Sequence, residues 1–85
     1  MEKEIKFTNH ALQRLHKRGV TKEEVIEAIQ SGNREIAKEN KIMCRLNLSY
    51  NDDWMGETYP IKQVAPIIVE EDNEIVVITV YTFYF

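Results

Sequence analysis

One cysteine, Cys44, is all the thiol in this 85-residue sequence, and a single cysteine excludes an internal disulfide framework. Only His10 and His16 accompany it, with no clustered zinc-ligand spacing, so neither a metal nor a cofactor is expected. Set in the apolar run Ile42, Met43, Cys44, the thiol reads as a small buried hydrophobe. No stretch approaches the roughly 20 apolar residues that cross a bilayer. The opening string MEKEIKFTNHALQRL mixes charge with apolarity and lacks the apolar core and small-residue cleavage site of a secretory signal; a cytoplasmic location is the expectation. An excess of positive charge is also missing. The formal net charge is −3, which argues against coating nucleic acid through bulk electrostatics and leaves room for a local basic patch. There is no internal repeat, low-complexity tract or flexible linker, so a single domain over residues 1–85 is expected.

What is present is an ordinary globular composition, 44% hydrophobic and 29% charged. A chain of this size buries only about 60 to 65% of the surface its unfolded form exposes. Any site should therefore be a shallow groove on a sheet face or between helix and sheet. The charge is unevenly spread: Arg14, Lys17, Arg18 and Lys22 lie close together, while Glu70, Glu71 and Asp72 form an acidic cluster.

Residues 3–7 alternate polar and apolar, as in a short edge strand or extended lead-in. Thr8 or Asn9 offers a helix N-cap, and the helix runs to about Arg18 and stops at Gly19, with Ala11, Leu12 and Leu15 as its apolar stripe. Thr21 with Glu24 forms a capping box. It opens a second helix to about Ser31, apolar at Val25, Ile26 and Ile29, which Gly32 closes as a left-handed cap. The period then changes to that of strands. Residues 34–38 and 42–50 form a hairpin around Glu39 and Asn40, with Met43, Arg45 and Asn47 alternating against Cys44, Leu46 and Leu48. Residues 50–59 read as a loop, in which Trp54 and Met55 either anchor it on the core or are exposed for a partner, and Asp52, Asp53 and Glu57 are a solvated turn. Two last strands, 61–70 and 74–84, meet at a tight turn, and the run 75–80, apolar on both faces, marks the central strand. The fold expected is α+β: two N-terminal helices packed on a twisted, mainly antiparallel sheet of about four strands.

At roughly 100° per residue, His10, Arg14 and Lys17 share one helix face, with Arg18 at its border and His16 pointing away. Spacing alone describes the solvated side of an amphipathic helix. A functional reading needs an element facing it, and the last strand supplies one: Thr79, Tyr81 and Phe83 alternate on one face, Thr82 and Tyr84 on the other. A histidine, arginines and hydroxyls are what metal-independent RNA cleavage requires. One group takes the 2′-hydroxyl proton, a guanidinium neutralises the pentavalent phosphate, and another group protonates the leaving 5′-oxygen.

Residues 10–32, HALQRLHKRGVTKEEVIEAIQSG, carry His-Ala, an arginine four residues after the histidine, then Arg-Gly-Val and a Thr-x-x-Glu helix start. This resembles the N-terminal signature of DUF4258, a family of domains of unknown function, and IVVITVY at residues 75–81 is similar to that family's closing strand. The resemblance implies the RelE, barnase and colicin-type ribonuclease fold, an RNA-cleaving or RNA-contacting ancestry, and often a neighbouring antitoxin. It carries His10, Arg14 and Arg18 over to the helix motif and Thr79 and Tyr81 to the closing strand as catalytic residues. Arg14, Lys17, Arg18 and Arg45 are the candidate RNA contacts. Many members have a histidine shortly after a proline in the penultimate strand, whereas Pro66 here is followed by Ile67, Ile68 and Val69. Two readings therefore stand: an endoribonuclease of toxin type acting on RNA or the ribosome, and a degenerate member that binds a protein or RNA without cutting. The aromatic closing run Phe83-Tyr84-Phe85 should be buried in the domain or across an interface, which makes a homodimer through the C-terminal strand the expected assembly.

Overall fold

Local caps fix both helices. In the computed structural model, which describes residues 3–85, the Thr8 hydroxyl accepts the Ala11 amide at 3.1 Å and starts α1 (Asn9–Arg18), satisfying one amide that a helix start leaves unpaired. Gly19 ends α1 in the left-handed region at φ 65°. Glycine is required there twice over, by the backbone and because an added Cβ would lie 2.6 Å from the Trp54 ring. The capping box is present. Thr21 Oγ1 accepts the Glu24 amide at 3.1 Å, and the Glu24 carboxylate accepts the Thr21 amide at 3.0 Å, opening α2 (Lys22–Ser31).

The end of α2 differs from expectation: Gly32 is extended, at φ −78° and ψ 166°, not left-handed. Its glycine answers a need for space. A Cβ would sit 2.5 Å from the Ala28 carbonyl oxygen and 2.7 Å from that of Arg45, because the chain passes directly from helix into β2.

The strands β1 (Glu4–Phe7), β2 (Asn33–Ile36), β3 (Ile42–Trp54), β4 (Glu57–Glu70) and β5 (Glu74–Tyr84) form one sheet in the order β1-β5-β4-β3-β2. The α+β class holds, but the sheet has five strands, not about four. The fifth is β1, which pairs in parallel with β5, Glu4 opposite Glu74 and Phe7 opposite Val77; every other pairing is antiparallel.

Two further expectations are corrected. Residues 50–59 are not a loop: Asp52 pairs with Tyr59 and Trp54 with Glu57, closing on Met55 and Gly56 at φ 50° and 89°. Positive φ at both central positions matches the twist of the flanking strands. A bulge between Ser49 and Asp52, with Asn51 at φ 48°, breaks the alternation that would have revealed the strands. The central strand is β4, not the apolar run in β5. Pro66 masks it, since proline ordinarily argues against a central strand; it is accommodated beside a second bulge, where Ile67 faces Thr79, Ile68 faces Val77 and Ile78 is the extra residue.

The helices cover one face. Ala11 and Leu15 from α1 and Val25, Ala28 and Ile29 from α2 pack with Cys44, Val64, Ile68, Ile75, Val77 and Val80. Cys44 is buried as expected, and burial holds its thiol above the ordinary value. Trp54 anchors the hairpin tip by stacking on Tyr84 at 4.8 Å between ring centroids, with Tyr50 and Tyr59 around the same ring. Beneath them the buried Lys62 donates to the Gly19 carbonyl and to Glu24 at 2.9 Å, so its charge is partnered. Among the described residues no helix is long and apolar enough to cross a membrane.

Candidate functional site

Parallel pairing stops at Phe7 and Val77, and beyond it α1 packs against β5. Two clamps hold the helix to this strand. At its start, the Thr8 hydroxyl donates to the Ile78 carbonyl at 3.1 Å. At its end, the Arg18 carbonyl accepts from Thr82 Oγ1 at 3.3 Å and from the Tyr84 hydroxyl at 3.1 Å. Burial, reinforced by the neighbouring Tyr50, raises the Tyr84 pKa, which keeps that hydroxyl a donor.

Between the clamps the predicted residues meet. His10 Nε2 lies 3.2 Å from Thr79 Oγ1 and accepts the Arg14 Nε–H at 3.4 Å. Two strand positions further on, the Arg18 guanidinium carbon sits 5.0 Å from the centre of the Tyr81 ring, a cation–π distance. The structure thus joins His10, Arg14 and Thr79 in one group and places the Arg18–Tyr81 pair next to it. Arg18, expected at the border of the helix face, is the residue that reaches the strand, whereas Lys17 is exposed and reaches none of these groups.

Charge distribution sets this edge apart. Lys3, Lys6, Arg34, Lys41, Arg45 and Lys62 each pair with a carboxylate. Among the described residues Arg14, Lys17, Arg18, Lys22 and Lys38 do not, and all but Lys38 belong to α1 and the start of α2. No acidic residue lies in α1. The local basic patch is therefore unneutralised in a chain that is acidic as a whole.

Arg45 is not part of this group. It lies on β3, with β4 between it and β5, and its Nε donates to Glu35 at 3.1 Å, its Nη1 to Gln63 Oε1 at 2.9 Å. Its guanidinium carbon is 5.6 Å from the Phe83 ring centre. Gln63 in turn donates to Asn47 Oδ1 at 2.8 Å. Sequence reasoning missed Glu35, Gln63 and Asn47 as a network. The available signal was polar residues at alternate positions of neighbouring strands, but only the register, which sets Gln63 opposite both Asn47 and Phe83, makes them neighbours. A cavity of about 350 Å3 opens beside them at the start of β2.

A family model matches residues 7–82, from the end of β1 to Thr82, and so includes every residue of the His10 group. The chain belongs to DUF4258. That family's description is a domain of unknown function, and no curated protein or solved structure matches the chain. In this DUF4258 domain the position immediately after Pro66 is Ile67, directly across the ladder from Thr79 and buried. The residue facing Thr79 across the ladder is thus aliphatic. No three His, Cys, Asp or Glu side chains among the described residues are grouped so as to hold a metal ion.

Proposed function

We propose that the α1–β5 edge of this DUF4258 domain contacts RNA and cleaves it as a metal-independent endoribonuclease of toxin type. The observation that carries the reading is a helix edge of unpaired cations, with Arg14 on the His10 imidazole beside Thr79 and Arg18 over Tyr81, in a protein whose basic residues outside α1 and the start of α2, Lys38 apart, are neutralised. A phosphodiester entering this edge draws Arg14 away from the imidazole, since a phosphate oxygen is the stronger acceptor. His10 Nε2 is then free to take the 2′-hydroxyl proton. The 2′-oxygen attacks phosphorus, Arg14 and Arg18 carry the charge of the pentavalent species, and the Tyr81 hydroxyl gives its proton to the departing 5′-oxygen. The products are a 2′,3′-cyclic phosphate and a 5′-hydroxyl. Thr79 Oγ1, 3.2 Å from that same nitrogen, turns its proton from Nε2 to a phosphate oxygen as the 2′-hydroxyl takes its place. The family resemblance to RelE- and barnase-type ribonucleases supports the same assignment, as does the shallow, open site that such a substrate needs.

The test is incubation of wild type and His10→Ala with total RNA and with translating ribosomes in excess EDTA, with mapping of the cut ends. Cleavage by wild type alone, leaving cyclic phosphate ends, is the expected result; intact RNA in both settings would remove the catalytic reading. A second reading, a protein-interaction module, is favoured by Phe83 and Phe85, which are 43% and 54% exposed and so are not buried in the domain, leaving the interface of the two expected alternatives, and by the isoleucine at position 67. In that case His10→Ala leaves growth and RNA unchanged while Phe85→Asp breaks an oligomer.

A further inference from the structure

The sheet face turned away from the helices holds a second group that the cleavage chemistry does not use. Phe83 is 43% exposed, and the Arg45 guanidinium lies over its ring. Around this pair the hydrogen bonds run in one direction: Arg45 Nη1 donates to Gln63 Oε1, and Gln63 Nε2 donates to Asn47 Oδ1. Each amide oxygen thus already accepts one bond and keeps one lone pair, so the free groups are mainly N–H donors on Asn47, Gln63 and Arg45, with Glu35 as the acceptor at the rim. The adjoining cavity of about 350 Å3 falls within the range of small-ligand pockets. An aromatic face, a guanidinium plane and a ring of amide donors together suit a flat heterocycle whose edge carries carbonyl oxygens. Unpaired bases of single-stranded RNA are recognised by this combination of stacking and edge hydrogen bonds.

From Thr79 to Phe83 is four residues of strand, roughly 13 Å at about 3.3 Å per residue, a separation of a few nucleotides. We infer that Phe83, Arg45, Gln63 and Asn47 form a base-recognition subsite for single-stranded RNA, taking one unpaired keto base, uracil or guanine, a few nucleotides from the phosphate held at His10. The inference rests on the RNA reading of the His10 edge. Uracil and guanine are selected because they place a carbonyl oxygen at C4 or C6 for the spare donors to meet, where cytosine and adenine carry an amino group.

The experiment is fluorescence anisotropy with short labelled 2′-O-methyl oligo(U), oligo(A) and oligo(C), which lack the hydroxyl needed for cleavage. Wild type and His10→Ala should both prefer oligo(U), by on the order of tenfold. Phe83→Leu and Gln63→Leu should level the three affinities. Asn47→Ala, at an exposed position, provides the same readout should Gln63→Leu unfold, and circular dichroism checks each fold. Equal binding of the three oligonucleotides, unchanged by these substitutions, would overturn the subsite and leave the RNA reading standing. No binding of any of them by wild type would overturn both. A sedimentation shift on Phe83→Leu with RNA affinity unaltered would reassign this face to a protein contact and also overturn the subsite.

Discussion

The two faces of the same sheet are built from different materials. The face under the helices is aliphatic: Val64, Ile68, Val77 and Val80 are fully buried with Val25 and Ala28. The other face carries Thr79, Tyr81, Phe83, Gln63, Asn47 and Arg45, with no helix over it, yet Ala65 and Ile67 are buried there by their own neighbours. One sheet thus presents two unlike surfaces on opposite sides, and a single extra residue, Ile78, decides which side chains lie on which. Before the bulge Ile75 and Val77 face the helices; after it Val80, Thr82 and Tyr84 do. Without it the strand would keep its parity, and Thr79, Tyr81 and Phe83 would be turned inward.

The largest test of this division is on the open side. His10→Ala should lower RNA cleavage about 10²- to 10⁴-fold, the span of a lost acid–base group, while urea unfolding moves by less than about 0.5 kcal/mol. Parallel losses of stability and activity would make His10 a structural residue and erase the contrast. On the covered side, Ile68→Ala should cost about 2 to 5 kcal/mol in urea denaturation, against about 1 kcal/mol or less for Phe83→Ala. Equal costs would mean that something covers both faces. At the junction between the helices and the hairpin tip, Gly19→Ala should cost at least about 1 kcal/mol, because it meets both a left-handed backbone and the Trp54 ring. A neutral thermal melt would contradict that packing.

The smallest effect lies at the rim of the covered face. Burial alone would raise the Glu70 pKa, but the hydrogen bond and charge of Arg34, with help from Lys3, outweigh it and hold the carboxyl below its ordinary value of 4.5. A depressed carboxyl stabilises the fold above that value, and the stability is lost as pH falls through the lower, folded pKa. Glu70→Gln should therefore flatten the acid limb of the stability curve by up to about 1 kcal/mol, as partly exposed pairs do. An unaltered acid limb would assign the pair no role.

Legibility followed the range of each interaction. The helices were readable because Thr8, Gly19, Thr21 and Glu24 act within a turn of where they sit. The long-range features were not. Nothing in residues 3–7 says that they pair in parallel with β5, and a bulge at residues 49–52 hid a hairpin behind Asp and Asn residues. In the site, the line of His10 and Arg14 and the alternation of Thr79 and Tyr81 could be read separately. Their meeting depends on where β1 delivers α1. Arg45 could not be placed, since its partners depend on the register of three strands at once.

The parallel pairing of β1 with β5 also has a consequence for biosynthesis. His10 and Thr79 are 69 positions apart, so at about 5 to 20 residues per second the imidazole is made several seconds before its partner. The locally capped helices can form in that interval. Meanwhile β1 has no neighbouring strand, and the core lacks Ile75, Val77 and Val80. The His10–Thr79 contact is thereby delayed until translation reaches the closing strand, so an unfinished or prematurely terminated chain carries the arginines and the histidine without their strand partners.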